Sequence, residues 1–379
     1  MIGVITVDVP ATQSASNTKP DERVREESRL KKLLSKPELG SVSGAILVLL
    51  FFAVFAGDSG MFSADGILNW TTVSAQLGIL AIGACLLMIA GEFDLSIGSM
   101  IGFAGMMIAI PATYWGWPVW VSIIFAMAGA MAIGALIGYT VVRTGLPSFI
   151  VSLAFLFILR GLTIALSILM TNKTIISGVS EIAENDWLAP FFGGELGTSF
   201  FQWLVTKGWL EAYADGTPVF TGIPMVVVWC LVLATVSSWV LMRTSFGNWI
   251  FATGGDDKAA KNVGVPTDKV KILLFVFTAF CAALYASCQV LEFGSAAADR
   301  GLLKEFEAII AVVIGGALLT GGYGSVIGAC FGALIFGVVQ MGIFFTGINS
   351  DWFRVFLGVM LLMAVLFNNY IRKRVTEAR

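Results

Sequence analysis

The sequence contains no histidine. That removes the commonest metal ligand, the usual general base near neutral pH and any Ser-His-Asp nucleophile. Charge is also scarce: 13% of the 379 residues are Asp, Glu, Lys or Arg, against about 25% in a soluble domain. No G-x-x-x-x-G-K-[ST] phosphate loop occurs, and Gly254-Gly255 lacks the strand-loop-helix setting of a dinucleotide fingerprint. If ATP drives this protein, another chain binds it. The five cysteines (Cys85, Cys230, Cys281, Cys288, Cys330) fall inside apolar stretches and form no CxxC pair, so they read as small packing residues rather than disulfides or metal ligands. Without a metal cluster or a nucleophile-base pair, a membrane enzyme is disfavoured.

What is present is hydrophobicity. The chain is 57% hydrophobic with a mean hydropathy of +0.88, which marks an all-α integral membrane protein. Spans of about 20 residues fit ten stretches: about 43–57, 70–90, 95–112, 119–142, 148–170, 223–242, 271–290, 308–320, 325–345 and 352–370. The eighth is short and rich in glycine, which fits a broken or re-entrant element. Domain boundaries follow: a hydrophilic tail over 1–42, a membrane domain over 43–372 and a short tail over 373–379.

Basic residues orient these spans. Lys19, Arg23, Arg25, Arg29, Lys31, Lys32 and Lys36 precede the first span, and Arg372, Lys373, Arg374 and Arg379 follow the last. Segment 243–271 adds Arg243, Lys258, Lys261, Lys269 and Lys271, whereas 171–222 has only Lys173 and Lys207 against six acids. The positive-inside rule then places both termini and 243–271 in the cytoplasm and 171–222 outside. The outer segment carries Trp187, Trp203 and Trp209. These read either as interface anchors or as part of a docking surface for a soluble partner. In the inner segment a short helix is expected between Gly255 and Gly264, with Asp256 and Asp257 at its N-terminus, where the helix dipole favours acids. Isolated by glycines, it would act as a lever for a partner protein.

Against this background the stretch Gly91-Glu92-Phe93-Asp94-Leu95-Ser96-Ile97-Gly98-Ser99 is anomalous. It sets two carboxylates between runs of membrane-grade hydrophobicity, and a carboxylate at the bilayer centre costs about 2.5–3.5 kcal/mol on insertion scales. Arg160 lies well inside the fifth expected span, and Glu305 and Glu307 lead into the eighth. A buried Arg needs an acidic or carbonyl partner, and Asp94 is the first candidate. Two readings stand for Glu92, Asp94, Ser96, Arg160, Glu305 and Glu307: a translocation path, or an intramembrane ion pair that fixes helix positions. The glycines Gly91, Gly98, Gly315, Gly316, Gly321, Gly322 and Gly324 read as close-packing positions or as helix breaks facing a cavity. Gly324-Ser-x-Ile-Gly328 echoes Gly98-Ser-x-Ile-Gly102, too short a match to build on.

Four stretches, in order, resemble the permease subunits of bacterial ABC importers for simple sugars, of the ribose and xylose type. They are GEFDLSIGS (91–99), FIVSLAFLFILRGLT (149–163), GNWIFATGGDDKAAKNVGVPTDKVK (247–271) and EAIIAVVIGGALLTGGYGSVIGA (307–329). Glu92, Asp256 and the long 171–222 segment depart from the pattern. The resemblance implies a permease like that of type II importers, in which two identical or related copies pair around a central path. It further implies ATPase subunits that hold ATP and Mg2+ and dock under 247–271, with Gly254, Gly255, Asp256, Asp257, Ala260 and Gly264 at the coupling contact. A periplasmic sugar-binding protein would deliver a monosaccharide across the inner membrane; no cofactor in this chain and no nucleic-acid partner is implied. The alternatives are a permease for branched-chain amino acids or nucleosides, and an ion-coupled carrier using Glu92 or Asp94.

Overall fold

In lipid a spanning segment must satisfy its own backbone, so apolar runs of this length fold as helices. The computed structural model describes residues 37–209, 212–213, 218–347 and 349, with 351–353, 355–360, 362–363 and 366 beyond them. Residues 1–36 of the expected hydrophilic tail, the 373–379 tail and eight of the nineteen positions of the tenth expected span lie outside the described residues. Helix α1 (Pro37–Phe55) matches the first expected span.

Among the described residues, seven further helices are long and apolar enough to cross a bilayer. The first four are α2 (Ala64–Ile89), α3 (Ile97–Tyr114), α4 (Val119–Thr144) and α5 (Ser148–Thr171). The outer segment then contributes strand β1 (Ile175–Ser177), α6 (Val179–Ala183), α7 (Pro190–Gly193), β2 (Glu195–Leu196), α8 (Thr198–Thr206) and β3 (Ile223–Pro224). The remaining spans are α9 (Met225–Arg243), α12 (Thr267–Phe293) and α14 (Val326–Phe345). Between α9 and α12 lie α10 (Ser245–Gly255) and α11 (Asp257–Asn262), and between α12 and α14 lie strand β4 (Ser295–Ala297) and α13 (Lys304–Ile314).

The inner layer is made by α2, α3 and α12. Over its most apolar 18 residues α2 is 83% buried, against 28% for α5 and for α9, which therefore leave most of their surface on the outside of the bundle. Large side chains such as Phe157, Leu169, Leu231 and Trp239 stand fully outward. Helix contacts run through small residues, as expected where lipid tails remove the hydrophobic incentive to associate. Gly134 and Gly138 of α4 face Phe275 and Ile272 of α12, and Gly78 of α2 faces Cys230 of α9 and Ala333 of α14. The cysteines do pack in this way: Cys85, Cys230, Cys281 and Cys288 are buried and Cys330 is half-buried.

The eighth expected span is a half-length helix. α13 ends at Ile314 because Gly315 and Gly316 follow it and Gly316 takes a left-handed backbone (φ 91°). The apolar residues after it belong to a turn that leads into α14, not to a span. α14 then runs back beside α13, with Gly328 against Gly315 and Gly332 against Ala311.

Candidate functional site

The break between α2 and α3 is neither a plain cytoplasmic loop nor a helix. The chain leaves α2 at Gly91 (φ 84°) and then runs non-helically to Ile97, threaded between α5 and α12. On one side the Phe93 amide donates to Ser148 Oγ (3.0 Å), and Ser152 Oγ donates to the Phe93 carbonyl (3.3 Å). On the other, Thr278 Oγ1 of α12 donates to Asp94 Oδ2 (2.7 Å). Asp94 Oδ1 accepts from the Ser96 amide (2.8 Å) and the Ser96 hydroxyl (2.6 Å), an Asx-type turn that starts α3.

α12 measures the depth of this segment. Glu92 meets Lys271 (2.8 Å) and Asp94 meets Thr278. Those two α12 positions are seven residues apart, about 10 Å along a helix at 1.5 Å per residue. The segment therefore climbs from the end of the bundle into its interior, which hydropathy alone does not reveal.

The expected Asp94–Arg160 pair is not formed. Asp94 is saturated by Ser96 and Thr278, and no ion pair joins it to Arg160. Hydroxyls on neighbouring elements satisfy the carboxylate without a counter-charge. Arg160, near the middle of α5, keeps a buried Nη2 without a hydrogen-bond partner, and so does Glu305 Oε2. Arg160, Glu307 and Asp94 lie within electrostatic reach of Glu305. Glu307 instead pairs with Lys304 (2.5 Å), one turn away on α13. Glu305 packs against Gly98, where an added Cβ would strike both the Glu305 carboxylate and the Gly301 carbonyl.

The inner segment carries the expected short helix between Gly255 and Gly264, with Asp256 and Asp257 at its N-terminus, and a further helix before it. Two helices stand there: α10 ends at Gly255 and α11 covers Asp257–Asn262. Asp256 caps α11, its Oδ1 accepting from the Ala259 amide (3.0 Å), and Gly264 closes the turn in a left-handed conformation (φ 89°). Ala260 is buried, and Lys261 reaches Asp268 of α12 at 2.6 Å. That carboxylate holds the Lys261 ammonium above its ordinary range. Lys271 contacts Glu92 at 2.8 Å and Asp257 at 3.5 Å. One ammonium thus ties the short helix α11 to the broken α2–α3 segment. Lys271 closes the 247–271 stretch that carries the resemblance, but its two carboxylate partners, far apart in the sequence, are not readable there.

Glycines from three separate stretches converge at the same end. Gly254 sits so close to the last turn of α2 that a Cβ would run into the Ile89 carbonyl and then the Gly322 amide. The Gly322 amide itself donates to that Ile89 carbonyl (2.8 Å), and a Cβ on Gly321 would meet Gly91 and Gly254. By contrast, open space surrounds Gly255, so its place in the coupling set does not rest on packing.

Comparison with known proteins agrees with this architecture. Residues 66–365 match the family described as branched-chain amino acid transport system / permease component. The xylose transport system permease protein XylH of Escherichia coli K12 is 30% identical over 362 residues, covering 87% of this chain and 91% of that protein. The ribose import permease protein RbsC of the same organism is 28% identical, covering 89% of this chain and 97% of the relative. The fructose import permease protein FrcC of Rhizobium meliloti is 29% identical, covering 90% of this chain and 88% of the relative. No solved structure matches the chain. A family match running from the start of α2 to past α14 takes in the broken segment, α10, α11 and the half-length α13 together, so this chain belongs to the branched-chain amino acid transport system permease family.

Proposed function

We propose that this chain is the membrane-spanning subunit of an ATP-driven importer that carries a monosaccharide across the bacterial inner membrane. The observation that carries the substrate class is similarity over 87–90% of the chain to proteins named for xylose, ribose and fructose. A neutral polyol suits a path with few intramembrane charges and many hydroxyls, because weak, multiple contacts let the solute leave again. In this reading two permease copies pair, ATPase subunits holding ATP and Mg2+ dock against α10 and α11, and a periplasmic binding protein docks at the opposite end. Both termini are cytoplasmic.

The coupling step follows from the tethers. A force on α11 reaches Lys271 through Asp257, and Lys271 holds Glu92 of the broken segment. A rigid-body shift of α11 therefore pulls on the non-helical stretch that ends at Asp94, Ser96 and Gly98 rather than on a continuous helix. A segment without its own helical ladder yields more readily to such a pull. Glu92, Asp94, Ser96, Arg160, Glu305 and Glu307 belong to the moving or path-lining set in this scheme.

The test is uptake into proteoliposomes holding the permease, its ATPase and its binding protein. ATP-dependent accumulation of labelled xylose, ribose or fructose is expected, with none when the ATPase is omitted. Uptake driven by a proton or sodium gradient alone overturns the ATP-driven reading. The family description supports a second substrate class, branched-chain amino acids. Leucine uptake without sugar uptake would establish that class instead.

A further inference from the structure

We propose that helix α8 lies flat in the bilayer interface at the end of the bundle that carries 171–222, with its Phe200–Trp203 face seated among lipid headgroups. This rests on the chain spanning a membrane and not on the transported solute.

α8 has three faces. Phe201, Leu204 and Val205, at helical spacing, are half-buried, and Phe201 packs against Phe220 at a ring distance of 4.7 Å. Ser199, Gln202 and Thr206 form an exposed polar face. The third face carries Phe200 and Trp203, stacked at 6.1 Å, and continues to Trp209, which meets Trp203 edge-on at 6.2 Å. These three rings are 57%, 48% and 76% exposed. A helix facing water on two sides has no use for an aromatic stripe on one of them. At a membrane surface that stripe is the buried side. The Lys207 ammonium nitrogen lies over the Trp203 ring at 6.0 Å, which sets a cation beside the stripe at the level where lipid phosphates would sit.

Continuity with the lipid-facing belt identifies the occupant. β2 pairs with β3, setting exposed Leu196 beside exposed Ile223, and β3 leads directly into α9. Exposed apolar residues thus follow along the chain from Leu231, Val232, Val236 and Trp239 of α9 back to Ile223, and across the strand pair to Leu196, two residues before α8. Two bonds hold the outer segment at the ends of the spans. Tyr213 Oη donates to Asp65 Oδ2 at the start of α2 (3.1 Å), and the Trp120 amide at the start of α4 donates to Asp186 Oδ2 (3.0 Å). Tyr114 and Trp115, both exposed, mark the same level at the end of α3. Aromatic rings gathered at one depth are the signature of the headgroup region.

The test places a nitroxide on the full-length chain, in a Cys330→Ala background, at Phe200→Cys, Trp203→Cys, Gln202→Cys and, beyond the helix, Trp209→Cys. The protein is reconstituted in phosphatidylethanolamine–phosphatidylglycerol vesicles, and collision with oxygen (lipid-soluble) is compared with collision with a nickel chelate (water-soluble). Positions 200, 203 and 209 should favour oxygen several-fold more than position 202. Equal nickel access at all four positions means an aqueous face and overturns the proposal. Exclusion of both reagents from 200, 203 and 209 means protein cover, by a soluble partner or a second copy, and overturns it too.

Discussion

At the residue scale the chain uses hydroxyls and bare backbone where sequence reasoning expects charge pairs. Asp94 is readable as important because a carboxylate inside an apolar chain is costly. Its partner is not readable, since Thr278 is one of many hydroxyls on apolar helices and lies 184 positions away. Replacing Thr278 by Val should leave Asp94 Oδ2 without its donor, a penalty of about 1–3 kcal/mol. The expected result is a lower melting temperature in detergent and reduced uptake, with Thr278→Ser restoring both. Equal stability of the Val and wild-type forms would show that the bond contributes nothing. The glycines separate in the same manner. Gly254→Val should abolish transport or insertion, because its Cβ meets the Ile89 carbonyl and neither backbone can withdraw, whereas Gly255→Ala should express and insert normally. Sequence reading groups the two as one Gly-Gly pair, and only packing tells them apart.

At the scale of elements, hydropathy finds the spans well and their interruptions poorly. Expected spans at 119–142, 148–170, 223–242 and 325–345 fall within two residues of α4, α5, α9 and α14. These are continuous apolar runs with clear ends. α13 is the exception among the interruptions: its shortness and its glycines point to a broken element, and the half-length helix that ends before Gly315 and Gly316 bears that out, although where the helix stops is not readable from composition. The α2–α3 break is visible as polar residues, but its climb of about 10 Å depends on pairing with α12, which local sequence does not encode. Its mechanical role is testable. Lys271→Met removes both tethers at once, Glu92→Gln one and Asp257→Asn the other. Each variant should insert normally, retain ATP hydrolysis with the partner ATPase and lose sugar uptake, most severely in Lys271→Met. If Lys271→Met accumulates sugar at the wild-type rate, the tether carries no coupling. If the Glu92→Gln and Asp257→Asn effects simply add in the double variant, the two contacts act independently and force does not pass through a shared ammonium.

For the whole molecule, the opposing charge of its two hydrophilic segments predicts which end faces which compartment. The 171–222 segment holds six acids and two bases, whereas 243–271, at the far ends of α9 and α12, holds five bases and three acids. Short basic segments resist translocation, so α10 and α11 should face the cytoplasm and α6 to α8 the outside. Glu184 and Lys258 are both exposed and stand on these opposite segments. In spheroplasts, Glu184→Cys should react with a membrane-impermeant maleimide in intact cells, and Lys258→Cys only after permeabilisation. The reverse pattern would invert the molecule, placing the Lys271 tether and the glycine junction out of reach of any cytoplasmic ATPase. Because the coupling scheme needs α11 on the ATP side, that single inversion would remove it while leaving family and fold untouched. The labelling pattern therefore tests the mechanism separately from the identity of the transported solute.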